Sequence, residues 1–201
     1  MTTRRRSRSR VGRLSGSLNS LLGKGGSGSS LDCKHFSSHL TKSSFWIFLL
    51  LAGVAAFISF GFYKNAYEKP WFAANMKGPE FSPQENAFAI INVSFYAIIA
   101  YAGYRSWATT KSFKSIPTLM FIMVSALNII YPWLLLTDGD DKNRKVLSFW
   151  ALVTLAIAVL WWMWMLWSKD VTAATGLMFY FLWLVYLMIW HGSAIDWDVT
   201  L

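Results

Sequence analysis

Phe88, Asn92 and Tyr96 stand four residues apart in a stretch that is otherwise largely apolar. On a helix they share one face, where two rings would flank a side-chain amide. Asn128 and Tyr131, followed at once by Pro132, form a second such set. Tyr180, Trp183 and Leu187 form a third, with His191 one turn further on. These residues can donate and accept hydrogen bonds and can stack against a flat molecule, but they offer no acid–base pair. Two uses fit them. They can hydrogen-bond one helix to the next, worth about 0.6–2 kcal/mol per contact inside a membrane. Alternatively, they can form a cavity with aromatic walls and a few orienting polar groups, the common form of a small-molecule site. An unpaired amide facing lipid is costly, so Asn92 and Asn128 are expected to face a protein interior.

Other chemistries have less to work with. His35 and His39 have the spacing of two ligands on one helical face, but no third ligand lies near. The run DGDDKNR (Asp138–Arg144) opens like a calcium loop but lacks both the glycine at its sixth position and the distal glutamate. It reads as a solvated turn. GKGGSGSS lacks the spacing and the following hydroxyl residue of a phosphate-binding loop. There is no Ser-His-Asp or Cys-His arrangement, and no carboxylate within an apolar span to run a proton relay. The single cysteine, Cys33, excludes an internal disulfide and a cysteine metal cage. No metal is expected.

The elements that must position these residues are membrane helices. Hydrophobic residues make up 55% of the chain and charged ones 14%, against about a quarter charged in soluble domains. Twelve tryptophans also suit a protein with two lipid interfaces. Five apolar spans follow in order: Phe45–Tyr63, Phe88–Trp107, Ile116–Leu136, Val146–Trp167 and Val171–Trp190. Each has the roughly 20 residues that a helix needs to cross the hydrocarbon core. Pro117 falls in the first turn of its span, where a helix tolerates it. Trp161, Trp162, Trp164 and Trp167 go all round their helix near its end, so most are expected to be interfacial anchors. The fold class is therefore an all-α integral membrane protein, a bundle of five transmembrane helices.

The chain divides into a tail at 1–44, the membrane domain at 45–192 and a short C-terminal tail at 193–201. The net charge of +9 is concentrated in the first tail, where six arginines fall in the first thirteen residues. This Arg-, Ser- and Gly-rich segment is expected to be disordered. It has the composition of an organellar transit peptide and equally of a basic arm lying on anionic lipid. No stacking aromatic is interleaved with the arginines, so nucleic acid is not an expected partner. The expectation is a multi-pass protein of an organelle membrane, mitochondrial, plastid or endoplasmic reticulum. Basic residues close to the spans tie at six on each side, so charge does not set the orientation.

Several of these stretches carry a resemblance. KGPEFSPQENAFAIINVSFYAIIAYAGYRSW (Lys77–Trp107) resembles the first-loop and second-helix signature of the translocator protein family. This is the TspO/MBR, tryptophan-rich sensory protein or peripheral benzodiazepine receptor family. Trp71-Phe72 stands for its Trp-Tyr, Pro79, Phe81 and Pro83 take its loop positions, and Phe88, Tyr96, Ala102, Tyr104 and Trp107 follow in register. LNIIYP (Leu127–Pro132), WALVTL (Trp150–Leu155) and FYFLWLVY (Phe179–Tyr186) are similar to its third-, fourth- and fifth-helix motifs. Asn92 stands where the family has a pocket tryptophan, and His191 where it has an asparagine. The family's sterol-contact motif wants a basic residue soon after the fifth helix, and here only His191 and two aspartates follow.

The resemblance implies a membrane-embedded binding protein of translocator or sensor type, holding a hydrophobic ligand such as a porphyrin, haem or another tetrapyrrole, or a sterol. No cofactor is required. The implied ligand residues are Phe88, Asn92, Tyr96, Asn128, Tyr131, Trp150, Trp183 and His191. Trp71, Phe72, Pro79, Phe81 and Pro83 would form a lid from the first loop. The implied partners are the bilayer, the ligand and a second copy in a homodimer. Two rival readings are a light-dependent porphyrin-degrading enzyme, for which Trp183 would be the catalytic residue, and a ligand-free structural or regulatory membrane partner.

Overall fold

The computed structural model describes residues 43–69, 85–136 and 142–195. They form five helices: α1 Ser43–Tyr67, α2 Glu85–Thr110, α3 Ile116–Leu136, α4 Lys142–Trp167 and α5 Val171–Ser193. Each reaches at least 21 residues and so exceeds the length needed to cross a bilayer. The helices overrun the apolar spans because polar turns at their ends, such as Lys64 in α1, continue the helix out of the hydrocarbon. The first tail up to residue 42, the segments 70–84 and 137–141, and residues 196–201 lie outside the described residues. With them lie His35, His39, Cys33 and the expected lid residues Trp71, Phe72, Pro79, Phe81 and Pro83.

Four helices, α1, α3, α4 and α5, are apolar enough to cross a membrane on composition alone. The fifth, α2, carries Asn92, Ser94, Arg105 and Ser106. Packing explains how it tolerates them. α2 contacts α1, α3 and α5, and every residue from Ile99 to Ser106 is buried. Along that stretch Arg105 and Ser106 are solvated by protein rather than lipid, so their polar groups need only find partners there, whereas the exposed Ser94 hydroxyl donates back to the Ile90 carbonyl of its own helix at 2.9 Å. The other contacts run α1 to α3, α3 to α4 and α4 to α5, so the helices circle in the order α1, α2, α5, α4, α3.

Close approach of α2 to its neighbours depends on small residues. A Cβ added at Gly103 would overlap the Phe121 ring of α3, and one at Gly176 of α5 would come within 3.0 Å of Ile98 on α2. α4 turns Leu152, Leu155, Val159, Trp162 and Leu166 inward, a stripe at helical spacing. Trp162 is fully buried and donates its indole N–H to Ser106 Oγ at 2.9 Å. Trp161, Trp164 and Trp167 are exposed on the outer surface, which suits interfacial anchors. In α3, Pro132 lies within the helix. It has no N–H to give the preceding turn, and beside it the Tyr131 carbonyl accepts a bond from Ser148 Oγ of α4 at 3.0 Å.

Where α2 ends and α5 begins, Arg105 forms an ion pair with Asp170. Both are buried, and Asp170 also caps α5 by accepting from the Ala173 N–H at 2.9 Å. Lys111 closes α2 with φ of 52°, the left-handed conformation common just past a helix C-terminus. Its ammonium lies 4.7 Å from the centre of the Trp107 ring.

Candidate ligand-binding site

The face shared by Phe88, Asn92 and Tyr96 on α2 meets α1 and α5. On the α1 side it joins Ala56, Ser59 and Tyr63 around a small pocket of about 10 Å³, close to the least that admits one water. On the α5 side the Trp183 indole donates to Asn92 Oδ1 at 3.3 Å. The Trp183 ring stacks with Phe95, at 5.9 Å and 24°, and with Tyr186, at 5.0 Å and 24°. Phe88 links the two sides. Its ring lies 4.7 Å from Tyr63 and 5.8 Å from both Trp183 and Trp190.

A second polar layer joins α3 to α5 and α1. Tyr180 Oη donates to Asn128 Oδ1 at 2.7 Å, and Asn128 Nδ2 donates back to the Val124 carbonyl at 2.9 Å. Asn128 therefore has both ends of its amide paired inside the bundle. Tyr63 Oη donates to Tyr131 Oη across α1 and α3. The Tyr131 ring then packs 6.1 Å from His191, which also lies 6.2 Å from Phe149 of α4. Tyr63, Tyr131 and His191 lie toward the end of the bundle where α1 stops and α2 begins, and the Tyr180–Asn128 bond lies nearer its middle.

Of the expected residues, Phe88, Asn92, Tyr96 and Trp183 meet where α2 faces α1 and α5. Asn128, Tyr131 and His191 line the adjoining α3–α5 side. Both asparagines face inward and are hydrogen-bonded. Trp150 requires correction. It is 55% exposed on the outer surface of α4, with its ring edge on Phe149 of the same helix. The inward stripe of α4 passes through Leu152 and Leu155, which turns Trp150 toward lipid.

The spacing argument missed Tyr63, the α1 residue that joins the pocket to Tyr131. A signal for it is present, because Ser59 and Tyr63 stand four apart in a helix that is otherwise almost wholly apolar. Phe95 and Phe149 were missed as well. Nothing separates them in sequence from the many phenylalanines that face lipid.

The model of the TspO/MBR family matches residues 46–195, from the first turn of α1 to just past α5. The chain belongs to the TspO/MBR family. No curated protein and no solved structure gives a significant match. The TspO/MBR match embraces all five helices and therefore both polar layers, while the tail before residue 46 lies outside it. This TspO/MBR protein is an integral membrane protein built as a five-helix bundle.

Proposed function

We propose that this TspO/MBR protein binds a hydrophobic ligand within the bundle, in a translocator or sensor role. The ligand would be a porphyrin or other tetrapyrrole, or a sterol. One observation carries the reading: the Trp183 indole belongs to a cluster of stacked rings and is held by Asn92 beside the pocket edged by Tyr63, Phe88 and Tyr96. Stacking surface with a fixed polar group beside it is what a flat, apolar ligand needs. The pocket between α1 and α2 is far smaller than the several hundred Å³ typical of ligand sites. Binding would therefore part α1 from α2 and displace the Phe88 ring.

The resemblance assigns closure to the first loop. Prolines at Pro79 and Pro83 fix φ and lessen the entropy lost when a lid orders. Replacing both with glycine should speed ligand release and weaken binding several-fold, up to about thirtyfold, at roughly 0.4–1 kcal/mol per site.

A light-dependent porphyrin-degrading activity is the rival reading. Trp183 is present for it, but Asn92 occupies the position of the other pocket tryptophan. Absorption titration of the purified full chain with protoporphyrin IX, in the dark and then illuminated, separates the possibilities. A shifted Soret band with pigment that survives light supports a binder. Pigment loss in light supports an enzyme. No spectral change, with cholesterol also failing to bind, supports a ligand-free partner.

A further inference from the structure

His191 is 2% exposed, and its Nδ1 is buried with no hydrogen-bond partner. Such an atom needs an explanation, because a buried polar group that has given up water and gained nothing is costly. The surroundings supply rings and hydroxyls: Tyr131 and Phe149 flank the imidazole. The Tyr63 hydroxyl spends its proton on Tyr131, and the Ser148 hydroxyl spends its own on the Tyr131 carbonyl. Asp170, the one buried acid among the described residues, is at the other end of the bundle and engaged by Arg105. Tyr131 touches His191 on one side and Tyr63 on the other, and Tyr63 edges the pocket of Asn92 and Tyr96. The imidazole is thus separated from the edge of that pocket by the Tyr131 ring.

We infer that His191 fixes the polar edge of the ligand and that the group it takes is a carboxyl, so the site selects an acid-bearing tetrapyrrole over a neutral sterol. The inference rests on the binding function proposed above. An imidazole can accept the carboxyl proton: the O–H bond breaks, an N–H bond forms, and imidazolium faces carboxylate. Such a charge-assisted bond is roughly twice as strong as a neutral one. An ester or a sterol hydroxyl offers only the neutral bond. Asparagine, the residue that the resemblance puts at this position, can donate to a carboxylate but cannot take the proton of a carboxylic acid.

The test uses the full chain in lipid nanodiscs with protoporphyrin IX, its dimethyl ester, and cholesterol as competitor. The unaltered protein should bind the free acid about tenfold more tightly than the ester, the ratio that 1.4 kcal/mol gives, and cholesterol should displace the acid poorly. His191→Phe should bring acid and ester to equal affinity by weakening the acid alone. His191→Asn should fall between the two. Equal binding of acid and ester by the unaltered protein overturns the inference. So does an equal loss of both in His191→Phe, which would make the ring a packing element only. Should His191→Phe fail to fold, an undiminished acid preference in His191→Asn overturns it instead. Failure of the unaltered protein to bind either pigment overturns the binding function itself, a result distinct from equal binding of the two.

Discussion

The indole of Trp183 reaches the side-chain carbonyl of Asn92 across 3.3 Å, and the same two helices are joined again by the Arg105–Asp170 ion pair. Arg105 is thirteen residues beyond Asn92 on α2, and Asp170 is thirteen before Trp183 on α5. At 1.5 Å per residue the two antiparallel stretches have equal lengths, about 20 Å. The ion pair therefore holds the register that places Trp183 opposite Asn92. Asp170→Ala should be severe, because it removes the carboxylate that pairs with buried Arg105, a change that costs about 3–5 kcal/mol in a buried pair, and also removes the α5 cap. Asp170→Asn should cost less, since its side-chain oxygen can still cap the helix. Thermal unfolding in detergent should give the order unaltered, Asn, Ala; equal stability of all three would show that the pair sets nothing.

Gly103 should tolerate no side chain. A methyl there overlaps the Phe121 ring, and overpacking typically costs about 1–3 kcal/mol. Gly103→Ala should lower the unfolding temperature, and Gly103→Val should lower it further. Gly53 and Gly61 provide the control, because a Cβ at either meets no atom within 4 Å. Alanine at those positions should be neutral or slightly stabilising.

Much of this was legible in the sequence because membranes impose simple rules. The five spans were found by length and apolarity, and the inward placement of Asn92 and Asn128 followed from the cost of an unpaired amide in lipid. Partner identity was not legible. Whether Asn92 would meet Trp183 or another donor depends on helix rotation and register, which the buried Arg105–Asp170 pair helps to fix and which no local pattern encodes. Trp150 was misplaced for the same reason. Its motif position suggested the site, but the inward stripe of α4 is set by Leu152, Leu155 and Val159 and turns it outward.

Asn92→Trp tests the enzymatic alternative. It would restore the pocket tryptophan of the family on the face of Phe88 and Tyr96. Light-dependent porphyrin breakdown should rise above the background of the unaltered protein, and adding Trp183→Phe should abolish the gain. Strong breakdown by the unaltered protein that persists in Trp183→Phe would contradict any account in which these two positions carry the activity.

The central claim is that the ligand sits against Trp183 inside the bundle, and protoporphyrin affinity in two tryptophan variants tests it most directly. Trp183→Ala removes a ring that stacks with Phe95 and with Tyr186, whereas Trp150→Ala removes one that faces lipid. Burying an aromatic side chain is worth about 1.5–3 kcal/mol, so Trp183→Ala should weaken binding at least tenfold while Trp150→Ala leaves it unchanged. Unchanged affinity in Trp183→Ala, or an equal loss in both variants, would contradict the account.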